Sequence, residues 1–78
     1  MAKRYQFGWK KRDRIFERDD HKCGYCGVSG HLCIDHKTPL SRGGGNEDDN
    51  LIAACFTCNN KKGVLTYDEF ISEIGGEK

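Results

Sequence analysis

Four of the five cysteines form two Cys-x2-Cys pairs, Cys23/Cys26 and Cys55/Cys58, and this spacing restricts the fold more than any other feature. Each pair makes a tight turn that presents two sulfurs to one side of an ion. Two such turns supply the tetrahedral four-thiolate set of a structural zinc, with Zn–S of about 2.3 Å. In Cys23-Gly24-Tyr25-Cys26-Gly27 the glycines stand where the backbone has to turn sharply. The chain needs such a staple. Leu, Ile, Val and Phe together make up 15 of the 78 residues, and a domain of this size rarely draws more than about 3–5 kcal/mol from its core. Structural zinc contributes about 10–16 kcal/mol in small finger peptides, and that binding energy is folding energy. Four protein ligands leave the ion no open position, so any chemistry is expected elsewhere.

The pairs are read as zinc ligands and not as disulfides because the cysteine count is odd and the N-terminal sequence is not that of a secretion signal. Met1-Ala2-Lys3-Arg4-Tyr5-Gln6 is basic, and no apolar run follows it. No stretch of some 18 apolar residues offers a membrane span. The expectation is an intracellular, cytoplasmic chain in which thiols stay reduced. Cys33, within Leu32-Cys33-Ile34, is expected to be a buried core thiol.

The segment between the pairs is too long for a simple zinc ribbon and is unusually polar. Residues 31–36 and 50–55 read as two strands, joined by a loop from Pro39 to Asp49 that carries Gly43-Gly44-Gly45. After the second pair, residues 57–62 predict a short helix stopped by Gly63. Further on, Thr66 and Glu69 form a capping-box pattern ahead of a helix carrying Phe70, Ile71 and Ile74 and ending at Gly75-Gly76. That helix is expected to build core and carry no chemistry.

An acidic residue before a histidine at a strand end (Asp35-His36), a glycine-rich loop, Asn50 before an apolar strand and Asn59 nine residues later together resemble the HNH endonucleases. The resemblance covers roughly residues 12–70, including a lead-in helix around Arg14–Asp20. It implies a small α+β fold: a ββα-metal core with a structural four-cysteine zinc site and flanking helices. Residues 1–11 would be a basic N-terminal arm, 12–74 the HNH nuclease domain and 75–78 a C-terminal tail.

The resemblance also implies roles. His36 would be the general base toward water, Asp35 and Asn59 would hold one catalytic divalent cation, and Asn50 would orient the histidine. The activity implied is DNA phosphodiester hydrolysis leaving a 5′ phosphate and a 3′ hydroxyl. The third signature position, often His, is Asn59 here; the nine-residue step favours Asn59 over Asn60. An all-oxygen pair of Asp and Asn favours Mg²⁺ or Mn²⁺ as the catalytic cofactor, beside the structural Zn²⁺. Because neighbouring strand residues face opposite ways, the strand is expected to end or twist at Asp35-His36.

Charge is uneven. Residues 1–22 hold eight Lys or Arg against four Asp or Glu, whereas residues 23–60 hold two against four. The arm, with Tyr5, Phe7 and Trp9 interleaved, reads equally as a phosphate-contacting segment and as a solvated tail with its aromatics packed on the core. Arg42, Lys61 and Lys62 flank the proposed site and are expected to contact DNA phosphates. Glu47-Asp48-Asp49 reads as a solvated loop, and His21 and His31 as surface or supporting residues. The expected partner is double-stranded DNA, bound with little sequence preference. A homodimer, or a place in phage-packaging or restriction machinery, is the further expectation. The rival reading is a zinc-stapled nucleic-acid-binding module without catalysis.

Overall fold

Leu51-Ile52-Ala53-Ala54-Cys55 contains no polar side chain, and this apolar run organises the domain. In a computed structural model, which describes residues 8–75, it forms strand β2 (Leu51–Cys55), buried along its whole length. Alternate residues of a strand face opposite ways, so complete burial means that both faces are covered. Helix α1 (Trp9–Arg18) packs on β2 through the buried Ile15, and helix α2 (Phe56–Lys62) packs on β2 and its partner β1 (Leu32–His36). The small Ala53 and Ala54 let these elements approach closely. The strands pair antiparallel, from Leu32 opposite Cys55 to His36 opposite Leu51.

The outer edge of β2 is closed by side chains and by the zinc turn, not by a third strand. The Ala53 N–H donates to Asp19 Oδ2 (2.9 Å), the Ala53 carbonyl accepts from Gly24 N–H (2.8 Å), and Arg18 Nη2 donates to the Leu51 carbonyl (2.7 Å). A buried strand edge left open would carry orphaned backbone groups, each costly. Gly24 has to be glycine here, since a Cβ would collide with the Ile52 side chain.

Helix α3 (Tyr67–Gly75) covers the other end of the core. Its Phe70 packs with Cys23, Ala54, Cys55 and Cys58, with Tyr25, Leu32, Leu65 and Ile74 around them. The capping box forms as expected: Glu69 N–H donates to Thr66 Oγ1 (3.2 Å) and Thr66 N–H to Glu69 Oε1 (3.1 Å).

Several boundaries differ from the expectation. Both strands are one residue shorter, because residues 31 and 50 belong to turns. Helix α1 begins at Trp9, so the line drawn between arm and domain at residue 12 falls inside a helix. Trp9 is 68 % exposed at its start and does not pack on the core; Tyr5 and Phe7 lie outside the described residues. Helix α3 runs through Gly75, and the rest of the proposed tail also lies outside them. No described helix is long and apolar enough to cross a membrane.

The acidic loop is not simply solvated. A 3-10 turn over Asp48–Asn50 brings Asp48 to α1, where Arg14 (2.7 Å) and Lys11 (3.2 Å) bind its carboxylate. These two cations hold the Asp48 carboxyl down at about 2. Several basic residues of α1 therefore fasten the helix to the chain's own loop.

Candidate functional site

Sγ atoms of Cys23, Cys26, Cys55 and Cys58 gather at one point, all within 4.8 Å of one another. A tetrahedron with Zn–S of about 2.3 Å has sulfur–sulfur edges of about 3.8 Å, and Cys26 Sγ lies 3.8 Å from Cys55 Sγ. The four residues fit a zinc ion. Peptide N–H groups point at the sulfurs: Tyr25 and Cys26 toward Cys23, and Cys58 toward Cys55. Burial works against ionising Cys23, yet the peptide N–H groups outweigh it and bring the thiol down to about 7. Burial and the adjoining sulfurs of Cys55, Cys26 and Cys23 push Cys58 up. Four crowded thiols cannot all ionise without a cation among them.

The second candidate centre lies where α2 crosses β1. Cys33 and Asp35 are two residues apart on a strand and share a face. Asn59 and Lys62 are three apart on a helix and share a stripe. The two pairs meet: Asn59 Nδ2 donates to Cys33 Sγ (3.5 Å), and Lys62 Nζ lies 3.3 Å from Asp35 Oδ2. Asp35 and Asn59 are thus brought to the same side of the hairpin, whereas Asn60 is exposed. With Nδ2 turned to Cys33, Asn59 retains Oδ1 as an oxygen donor. Asp35 is only 8 % exposed, and its hydrogen bond from the Tyr25 hydroxyl (2.7 Å) falls on the same Oδ2 as Lys62. Asp35 and Asn59 make a donor set of hard oxygens, which fits Mg²⁺ or Mn²⁺. Burial and the Asp35 bond raise the Tyr25 hydroxyl well above its ordinary range, so it stays a donor. Burial and the nearby Asp35 carboxylate also raise the Cys33 thiol, although Cys33 is only partly buried and not the buried core thiol expected from the sequence.

His36 ends β1 and, by strand alternation, faces away from Asp35. The strand does stop at this pair, as expected from the sequence. His36 Nε2 lies 2.8 Å from Asn46 Oδ1. With an amide oxygen as its partner, Nε2 is the donor of this pair.

Asn50 acts on the loop that leaves the strand. Its Oδ1 accepts from Thr38 N–H (2.9 Å), and its Nδ2 donates to the carbonyls of Thr38 (3.0 Å) and Gly45 (2.8 Å). Its own carbonyl accepts from Lys37 N–H (2.7 Å). One side chain thus closes the loop at both ends, immediately after His36. Gly44 sits where a Cβ would overlap the Thr38 carbonyl and the Asn50 amide, which accounts for glycine there.

Two of the expected phosphate contacts are engaged within the fold. Lys62 is 1 % exposed, donates to the His36 carbonyl (2.8 Å) and faces Asp35. The sequence expectation for it is corrected: its ammonium is an internal counter-charge, because α2 turns it toward the sheet. Arg42 is exposed but bound to Glu69 (2.7 and 3.2 Å) and to the Val64 carbonyl (3.2 Å). Lys61 remains exposed on α2. Sequence reasoning missed Tyr25 and Asn46. A tyrosine inside a Cys-x2-Cys turn offered a weak signal, since its hydroxyl had to find a partner; Asn46, in the glycine loop, offered none.

A zinc-type four-cysteine cluster joined to a two-stranded hairpin and a crossing helix defines a small ββα-metal protein. The family model for HNH endonuclease matches residues 23–64, more than half of the chain, and the chain belongs to the HNH endonuclease family. This is a nuclease-type family that works with divalent metals. No curated protein matches the chain.

Proposed function

We propose that this chain is a metal-dependent DNA endonuclease that hydrolyses phosphodiester bonds with low sequence specificity. The observation that carries the reading is the placement of Asp35 and Asn59 on one side of the hairpin, next to the strand end that bears His36. His36 accepts a proton from the attacking water, a general-base contribution of about 10²–10⁴-fold. The new bond forms between that water oxygen and phosphorus, the P–O3′ bond breaks, and the 3′ oxygen leaves and takes up a proton. Asp35 and Asn59 would hold the divalent cation; when bound, it supplies Lewis acidity at the phosphate. Asn50 keeps the segment after His36 in one shape. Lys61, exposed on α2, keeps the expectation of a phosphate contact.

The test is nicking of supercoiled plasmid by the zinc-loaded protein with Mg²⁺ or Mn²⁺, with and without chelator, beside His36→Ala. Cleavage that needs the cation and is lost in His36→Ala is the expected result. Equal cleavage by His36→Ala would overturn the assignment. DNA binding without cleavage would favour a binding module, or a subunit that cuts only within a larger phage-packaging or restriction assembly.

A further inference from the structure

Tyr25 belongs to the Cys23–Cys26 turn, yet its hydroxyl reaches the candidate cation site. Its ring is held edge-on against Phe70 (centroids 5.1 Å apart) and tilted against Tyr67 (5.6 Å), both from α3. Two cysteines of the zinc cluster bracket it in sequence. The side chain therefore has no freedom to follow Asp35 if Asp35 moves, and the dependence runs the other way. Lys62, anchored on the His36 carbonyl, meets the same oxygen of the same carboxylate.

We infer that Tyr25 and Lys62 are positioning residues which fix Oδ2 of Asp35 and thereby reserve Oδ1 for the catalytic cation, so that the structural zinc turn sets the geometry of the second metal site. This rests on the reading of Asp35 as a cation ligand. Partners of this kind, which hold a ligating carboxylate, typically alter metal affinity by about 10–100-fold when removed. Zinc in this arrangement orients a ligand of another metal in addition to holding the chain together.

Tyr25→Phe tests the inference, because it keeps the ring and its packing and deletes only the hydroxyl. Zinc content and thermal transition should match the wild type. The Mn²⁺ concentration for half-maximal plasmid nicking, and for Mn²⁺ binding followed by electron paramagnetic resonance, should rise roughly ten-fold. The maximal rate should return at saturating Mn²⁺. Tyr67→Phe, which alters a packing neighbour of Tyr25, should leave the Mn²⁺ requirement unchanged. A Tyr25→Phe protein with wild-type Mn²⁺ requirement would overturn the inference while leaving the nuclease reading intact. An equal shift in Tyr67→Phe would overturn it too, by showing a general effect of packing. Wild-type protein that neither binds Mn²⁺ nor nicks DNA would overturn the nuclease reading itself and take this inference with it.

Discussion

Asn50 grips both backbone polar groups of Thr38: its Oδ1 accepts from the Thr38 N–H at 2.9 Å, and its Nδ2 donates to the Thr38 carbonyl at 3.0 Å. An amide side chain is the natural group for this, since it offers a donor and an acceptor side by side. Asn50→Asp keeps the size and the accepted bond but turns an anionic oxygen on the carbonyls of Thr38 and Gly45. The expected cost is about 1–3 kcal/mol, the usual penalty for unsatisfied partly buried groups. Denaturant unfolding of the zinc-loaded protein measures it, and the nicking rate should fall with it.

Lys62 and Lys61 are adjacent in sequence and opposite in environment, the first buried and the second exposed. Lys62→Met removes the counter-charge of a buried carboxylate and should cost about 3 kcal/mol or more. Lys61→Met should stay within about 0.5 kcal/mol in stability. On DNA, Lys61→Met should lower the slope of log affinity against log salt by about one if it contacts a phosphate. Equal stability of the two variants would show that Lys62 is not an internal partner of Asp35.

Cys58→Ser should abolish stoichiometric zinc binding and the cooperative thermal transition together. Chelation of zinc from the wild type should reproduce both losses, because binding of this ion is folding energy. Metal analysis beside far-ultraviolet circular dichroism checks the pairing. A well-folded, zinc-free Cys58→Ser protein would contradict the structural role.

Zinc binding should release a pH-dependent number of protons. The metal-free chain is expected to be unfolded, so its four ligand thiols ionise near the ordinary cysteine value of about 8.5, and each must lose its proton to hold the ion. Nearly four protons should therefore be released at about pH 6, and fewer as the pH rises through about 8.5. Zinc affinity should consequently fall more steeply with pH below about 8 than above it. Calorimetry in buffers of differing ionisation enthalpy reads the proton count directly.

Much of this was legible in the chain because the signals were local. Cys-x2-Cys turns, an apolar run with no polar interruption, Thr66-x-x-Glu69 and Gly63 each announce themselves within a few residues. What stayed hidden depends on direction. Whether Lys62 looks outward or inward depends on how α2 rolls over β1, and a rotation of about 100° per residue separates it from Lys61. Arg42 reads as a free loop cation until α3 supplies Glu69 from 27 positions away. Asp48 likewise reads as surface until α1 lies beside it, 34 positions from Arg14. Long-range pairing of charges leaves no periodic trace, so composition alone overstates how many cations remain for a ligand.

The meeting of the two cysteine pairs also has a meaning for the chain before it folds. Cys26 and Cys55 stand 29 positions apart, and closing a flexible loop of that length costs about 3 kcal/mol of chain entropy. Inside that loop lie Asp35, His36, Asn46 and Asn50, with Asn59 and Lys62 just beyond it. A single ion that joins the two ends offsets the closure cost severalfold and delivers the hairpin already paired to the helix that completes it. Zinc supply would then set how much of the newly made chain survives: the unloaded polypeptide would be an open, protease-accessible strand, and the loaded one would have its site assembled from the outset.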